Sequence, residues 1–135
     1  MNRVKSFFLA MKHRNFLNSD LSIYKKFLQK NSILVHIPKT AGRSIIRSIY
    51  GNDLKNCGHR TYFFYKYLFT KKRIQNMYTF SFVRNPYSRL FSAYNFLKKG
   101  GENLHDLNAK RDYIDCFKDF NEFINFGLEN AVKNN

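Results

Sequence analysis

The chain has no tryptophan, two prolines, two cysteines and six glycines in 135 residues, and 9 acidic residues against 24 Lys and Arg. Each shortage excludes something. Cys57 and Cys116 allow at most one disulfide and form no Cys-x-x-Cys pair, which argues against a disulfide scaffold and a cysteine-built zinc site alike. The histidines, at positions 13, 36, 59 and 105, do not pair on one helix face, so no metal site is expected. Free thiols in a reducing compartment are the expectation. No apolar run approaches the ~18 residues of a membrane span. The N-terminal "FFLAM" is cut off by Lys12, His13 and Arg14, with no small-residue cleavage site after it, unlike a secretory leader. The chain therefore reads as soluble and cytoplasmic. Without repeats or a Pro/Ser/Gly-rich linker, it is one domain at most.

What is abundant points elsewhere. Apolar residues at 44% and aromatics at 18% are enough for a core. A formal charge of +15 suits anionic partners: phosphorylated small molecules, nucleic acid, acidic glycans or a membrane surface. Charge alone does not choose among them.

Residues 1–31 form a basic helical segment in which Phe7, Leu9, Met11, Phe16, Leu17, Leu21, Tyr24, Phe27 and Leu28 recur every three to four positions. Ser19 or Asp20 is placed to cap a second helical piece ending at Gln29. Such a helix can pack on the domain or lie peripherally on an anionic membrane. "ILVHI", Ile33 to Ile37, predicts a buried strand of a parallel sheet. Pro38 to Gly42 breaks it, and a helix from Arg43 to Tyr50 follows, with Ile45, Ile46, Ile49 and Tyr50 on one face and Gly51 as its stop. "YTFSFV", Tyr78 to Val83, predicts a second strand. Asn85 caps the next helix with Pro86 at its first position, and that helix runs to Gly100-Gly101. A last helix is predicted from Asp115 or Asp119 to Val132. This order suggests an α/β fold with parallel strands.

Two loops carry chemistry. In "PKTAGRS" a strand feeds a helix start, where backbone N–H groups and the helix dipole favour an anion. Ala41 and Gly42 permit close approach, Thr40 and Ser44 offer hydroxyls, and Lys39 and Arg43 offer charge. A kinase-type loop needs GxxxxGK followed by Ser or Thr and an acidic Mg²⁺ ligand after a strand; neither is present. The loop fits a sulfo- or phosphoryl group held without a metal. In "FSFVRNPYSRLFSAY", Arg84 sits at the strand end and Ser92 two turns along the following helix, a pair suited to a second phosphate.

"HIPKTAGRSI" followed by "FVRNPYSRLFSAY" resembles the paired signatures of the carbohydrate sulfotransferases, the family of heparan and chondroitin sulfotransferases and their bacterial relatives. The resemblance implies a P-loop-like three-layer sandwich with a central parallel sheet, of which residues 32–135 would be the N-terminal half. It implies that the first loop, at Lys39, Thr40, Ala41, Gly42, Arg43 and Ser44, binds the 5′-phosphosulfate of 3′-phosphoadenosine 5′-phosphosulfate (PAPS). By the same resemblance Arg84 and Ser92 bind its 3′-phosphate. Arg43 departs from the family's usual Thr or Ser, which removes a side-chain hydroxyl. Gly58-His59 resembles the Gly-His of the uronyl 2-O-sulfotransferases, whose His looks like the base, and Lys39 would stabilise the leaving phosphate. The implied acceptor is a saccharide hydroxyl. Because the family domain continues further, the resemblance also implies a truncated chain, or a minimal form completed by a partner, with weak or absent catalysis by itself.

Other readings stay open at this stage: a basic nucleic-acid-binding protein, or a P-loop kinase-like nucleotide-binding protein. His36, in the predicted strand, is expected to pack, and His13 and His105 to be exposed without a role. Arg60, Lys66, Lys71, Lys72 and Arg73 fit either an acceptor groove or a solvated basic face. Tyr62, Phe63, Phe64, Tyr65 and Tyr67 fit either a stacking platform or core.

Overall fold

The three-to-four spacing at the N-terminus folds as two helices, with the chain turning between them. The computed structural model describes residues 3–20, 22–52 and 58–133. Helix α1 (Arg3–His13) runs into a short 3₁₀ turn (Arg14–Phe16), and α2 spans Ile23–Gln29. The cap of α2 is Ser22, which accepts from the Tyr24 N–H at 3.2 Å, rather than Ser19 or Asp20. Asp20 pairs with Lys25 instead. One turn deeper, Ser22 is the residue whose extended backbone (φ −87°, ψ 125°) suits a cap.

These helices belong to the first of two compact units, Met1–Val83, the other being Arg84–Asn135. Within it, β1 (Ser32–Leu34) pairs in parallel with β2 (Tyr78–Phe80), Leu34 standing opposite Phe80. Between them come α3 (Gly42–Tyr50), α4 (Tyr62–Leu68) and α5 (Lys71–Gln75). The parallel α/β pairing agrees with the sequence expectation; the strands are shorter than Ile33–Ile37 and Tyr78–Val83. The ladder ends in one backbone bond, Val35 N–H to Phe80 O at 2.9 Å, and one side-chain bond, the Ser81 hydroxyl to Val35 O at 2.8 Å. Among the described residues the sheet has two strands. A strand with one partner extends only as far as that partner's ladder, so residues 81–83 remain exposed.

The run Tyr62 to Leu68 resolves as helix. Thr61 caps α4, its Oγ1 accepting from the Phe64 N–H at 3.4 Å. Small residues on α1, Ser6 and Ala10, are wholly buried and let α1 and α4 pack closely. Phe64 and Tyr65 join Phe27, Ile33 and Leu34 in the core, while Tyr62 is exposed. Phe27 meets the rings of Tyr50 and Tyr65 at 4.8 and 5.7 Å. Core packing therefore claims the centre of that aromatic run. On α3 the buried stripe is Gly42, Ile46 and Tyr50, spaced four apart, with Ile45 partly buried. Ile49, expected on that face, is 37% exposed. Gly51, at φ 108°, ends the helix as expected.

In the second unit Asn85 and Pro86 start α6 (Pro86–Lys98) as predicted: the Asn85 carboxamide oxygen accepts from the N–H groups of Tyr87 and Ser88. Helix α7 (Leu104–Tyr113) was not anticipated. Asp119 caps α8 (Phe120–Glu122), which continues through a π-helical turn (Phe123–Gly127) into α9 (Leu128–Lys133). A small core of Tyr94, Ile114 and Phe123 holds these helices together. Cys116 is an exposed free thiol, and Cys57 lies outside the described residues.

Candidate functional site

The loop between β1 and α3 is bent hard for its composition. Lys39 (φ 63°) and Ala41 (φ 60°) both adopt the left-handed conformation, which costs a non-glycine residue about 1–2 kcal/mol. Something must hold them there. Thr40, between the two, is buried, and its hydroxyl donates to the Ile37 carbonyl at 2.8 Å. With this bond the Thr40 hydroxyl shapes the loop.

Ala41 caps α3 in the left-handed conformation and brings no side-chain acceptor to the first-turn N–H groups. A left-handed residue leading into right-handed helix turns successive N–H groups into a concavity that suits an anion. The first turn of α3 contains no acidic residue, and Arg43 and Ser44 are exposed there. Lys39 is partly buried. Gly42 is required sterically. A Cβ at that position would stand 1.9 Å from Nε2 and 2.0 Å from Cδ2 of His36.

His36 thus packs, as expected, but its neighbours are functional candidates. Its ring centroid lies 4.5 Å from that of His59, with the planes 51° apart. His36 is 8% exposed, and burial first, then the charges of His59 and Arg43, hold its pKa below the ordinary value of 6.5. Its Nδ1 is buried with no hydrogen-bond partner among the described residues. His59 is exposed, in a bend that follows Gly58 (φ 64°) and precedes the Thr61 cap. His36 therefore touches both Gly42 of the loop and His59, and sequence spacing leaves the second of these contacts unconnected.

Next to His59, the Arg60 guanidinium lies 5.3 Å above the Phe64 ring, with its Nε buried and unpartnered among the described residues. His13, expected to be exposed, is instead partly buried. It meets the Phe64 ring edge-on at 5.6 Å, and its Nδ1 lies 3.4 Å from the Tyr24 hydroxyl. Burial and then Arg60 lower its pKa. The helical stripe that carries Tyr24 and Phe27 inward was the available signal for a contact of this kind. His105, Lys66, Lys71, Lys72 and Arg73 are exposed.

In the second unit, Arg84 is exposed and immediately precedes the Asn85 cap; Ser92 is partly buried on α6. Among the described residues no group of His, Cys, Asp and Glu could hold a metal ion, and no helix is long and apolar enough to cross a membrane.

The model of a family described as "Sulfotransferase family" matches residues 28–135. No curated protein and no solved structure matches the chain.

Proposed function

Since the chain belongs to the sulfotransferase family, we propose that it transfers the sulfuryl group of PAPS to a saccharide hydroxyl. The observation that carries this reading is the loop 39–44. It is a strained, basic, glycine-dependent turn at a helix start, inside the matched region. The residues fit the group: Ala41 adds no competing acceptor, and no acid in the first turn opposes an anion.

On this reading the backbone of Ala41 to Ser44 and the Ser44 hydroxyl hold the 5′-phosphosulfate, and Arg43 adds charge. Thr40 keeps the loop in shape through its bond to Ile37. Lys39 neutralises charge at the phosphate end, where fixed electrostatics contribute most. Arg84, through its planar fork, and Ser92, through its hydroxyl, hold the 3′-phosphate. PAPS, when bound, supplies the sulfuryl group and a bisphosphate that leaves readily. His59 takes the proton of the acceptor hydroxyl; its exposure supports this role, since an acceptor must reach it from solvent. The exposed Lys66, Lys71, Lys72 and Arg73 suit an anionic saccharide. The two parallel strands are, in this account, the beginning of a P-loop-like three-layer sandwich. The nucleic-acid and kinase readings gain no support from the family match.

Incubation with PAPS labelled in the sulfuryl group, against desulfated heparosan, chondroitin and dermatan, tests the proposal. Label is expected in one of them, at a low rate with this chain alone, and to be insensitive to EDTA. His59→Ala should cut the rate about 10²- to 10⁴-fold, as for loss of a general base. Label in a non-saccharide hydroxyl acceptor and in none of the polysaccharides would overturn the saccharide acceptor. An undiminished rate in His59→Ala would remove that residue from the mechanism.

A further inference from the structure

We propose that His36 is a positioning residue for His59: its imidazole seats the His59 ring beside the anion loop, and its Nδ1 selects the His59 tautomer. This inference rests on the reading of His59 as the base, and it adds a residue that the loop motif does not assign.

Three observations meet on one ring. The Nε2–Cδ2 edge of His36 lies against Gly42, so closely that a Cβ there would be within 2.0 Å of both atoms. The same ring contacts His59 at 4.5 Å between centroids. Its Nδ1 is buried without a partner among the described residues. The first two make His36 a spacer that touches both the start of α3 and the candidate base. Packing alone does not account for the third, because a phenyl ring fills such a seat without leaving a nitrogen unsatisfied.

An unsatisfied imidazole nitrogen beside an exposed imidazole has an evident use. His59 makes no hydrogen bond to it in this structure; a turn of the exposed His59 ring would bring one of its nitrogens to the His36 Nδ1, and the proton shared there would fix which His59 nitrogen stays open to take a proton from an acceptor. The charged groups that face His36 are His59 itself and Arg43 from the first turn of α3. Burial first, and then these charges, lower its pKa from the ordinary value, which disfavours a second positive charge beside a base that must become positive. No bond is made or broken at His36.

Long-range ¹H–¹⁵N spectra of the histidine rings test this on the whole chain near neutral pH. In the wild type His59 is expected to show one predominant neutral tautomer and a nuclear Overhauser contact to His36. His36→Phe keeps a ring but no nitrogen; His59 should revert to the tautomer mixture of free histidine, while His105 is unchanged and adenosine 3′,5′-bisphosphate still binds. His36→Asn, which restores a polar group near Nδ1, should recover the tautomer preference. A mixed His59 tautomer in the wild type, or an unchanged His59 signature in a folded His36→Phe chain, overturns the proposal; the wild-type spectrum alone decides if the variants do not fold. These readouts need no turnover. If they succeed while His59→Ala leaves transfer intact, the base assignment fails and the ring coupling stands.

Discussion

At the scale of single residues, the histidines govern how the protein responds to acid. Burial lowers the pKa of both His13 and His36 from 6.5, so each is protonated more readily in the unfolded chain. Between the folded values and about 6.5 the unfolded state binds more protons, and stability rises with pH across that window. The contribution is complete above about 6.5 and is lost as the pH falls through the folded values. Thermal unfolding at pH 7 and pH 5 should show a lower Tm at pH 5. The difference should shrink when both histidines are replaced by Phe. An equal pH difference in that double variant would show that other groups cause it. None of this was legible in the sequence. His13 reads as a polar interruption of an apolar stretch, and no spacing rule connects His36 to Gly42 or His59, because their meeting depends on how the chain returns after α3.

At the scale of elements, the sequence was readable at several ends where a local capping group decides the outcome, though not at Ser22, which caps α2. Asn85 before Pro86, Asp119 before α8 and Gly51 after α3 all stand where the backbone N–H and C=O groups of a helix end demand them. It was unreadable where tertiary contact decides. Helix α7 has no apolar stripe to reveal it: Leu104 and Leu107 are 70% and 50% exposed. The strands stop early because each has one pairing partner among the described residues, a property of the sheet and not of "ILVHI" itself. The aromatic run at α4 lay between these cases. Its alternatives were resolved by Thr61, which caps the helix, and by the small residues of α1 that receive it. Thr61→Ala should therefore lower stability by about 1 kcal/mol. In urea this appears as a fall in the midpoint at unchanged slope. No change in midpoint would show that the 3.4 Å cap contributes nothing to stability.

At the scale of the whole molecule, the charge of +15 finds a use that composition alone could not assign. Membership of the sulfotransferase family turns a general preference for anions into a proposed site for a doubly phosphorylated donor. The residues proposed for its two ends are Lys39 to Ser44 and Arg84 with Ser92. The motif legible in the sequence thus named residues at both ends, and what it could not supply was the support beneath the first loop. The central claim is that these residues bind the donor. Calorimetric titration with adenosine 3′,5′-bisphosphate tests it most directly, comparing wild type with Lys39→Ala and Arg84→Ala. The account predicts saturable 1:1 binding by the wild type. Each variant, still folded by circular dichroism, should bind roughly ten- to a hundredfold more weakly, the loss expected for one charge-assisted contact. A folded wild-type chain that binds no bisphosphate, or variants that bind as tightly as wild type, would contradict it.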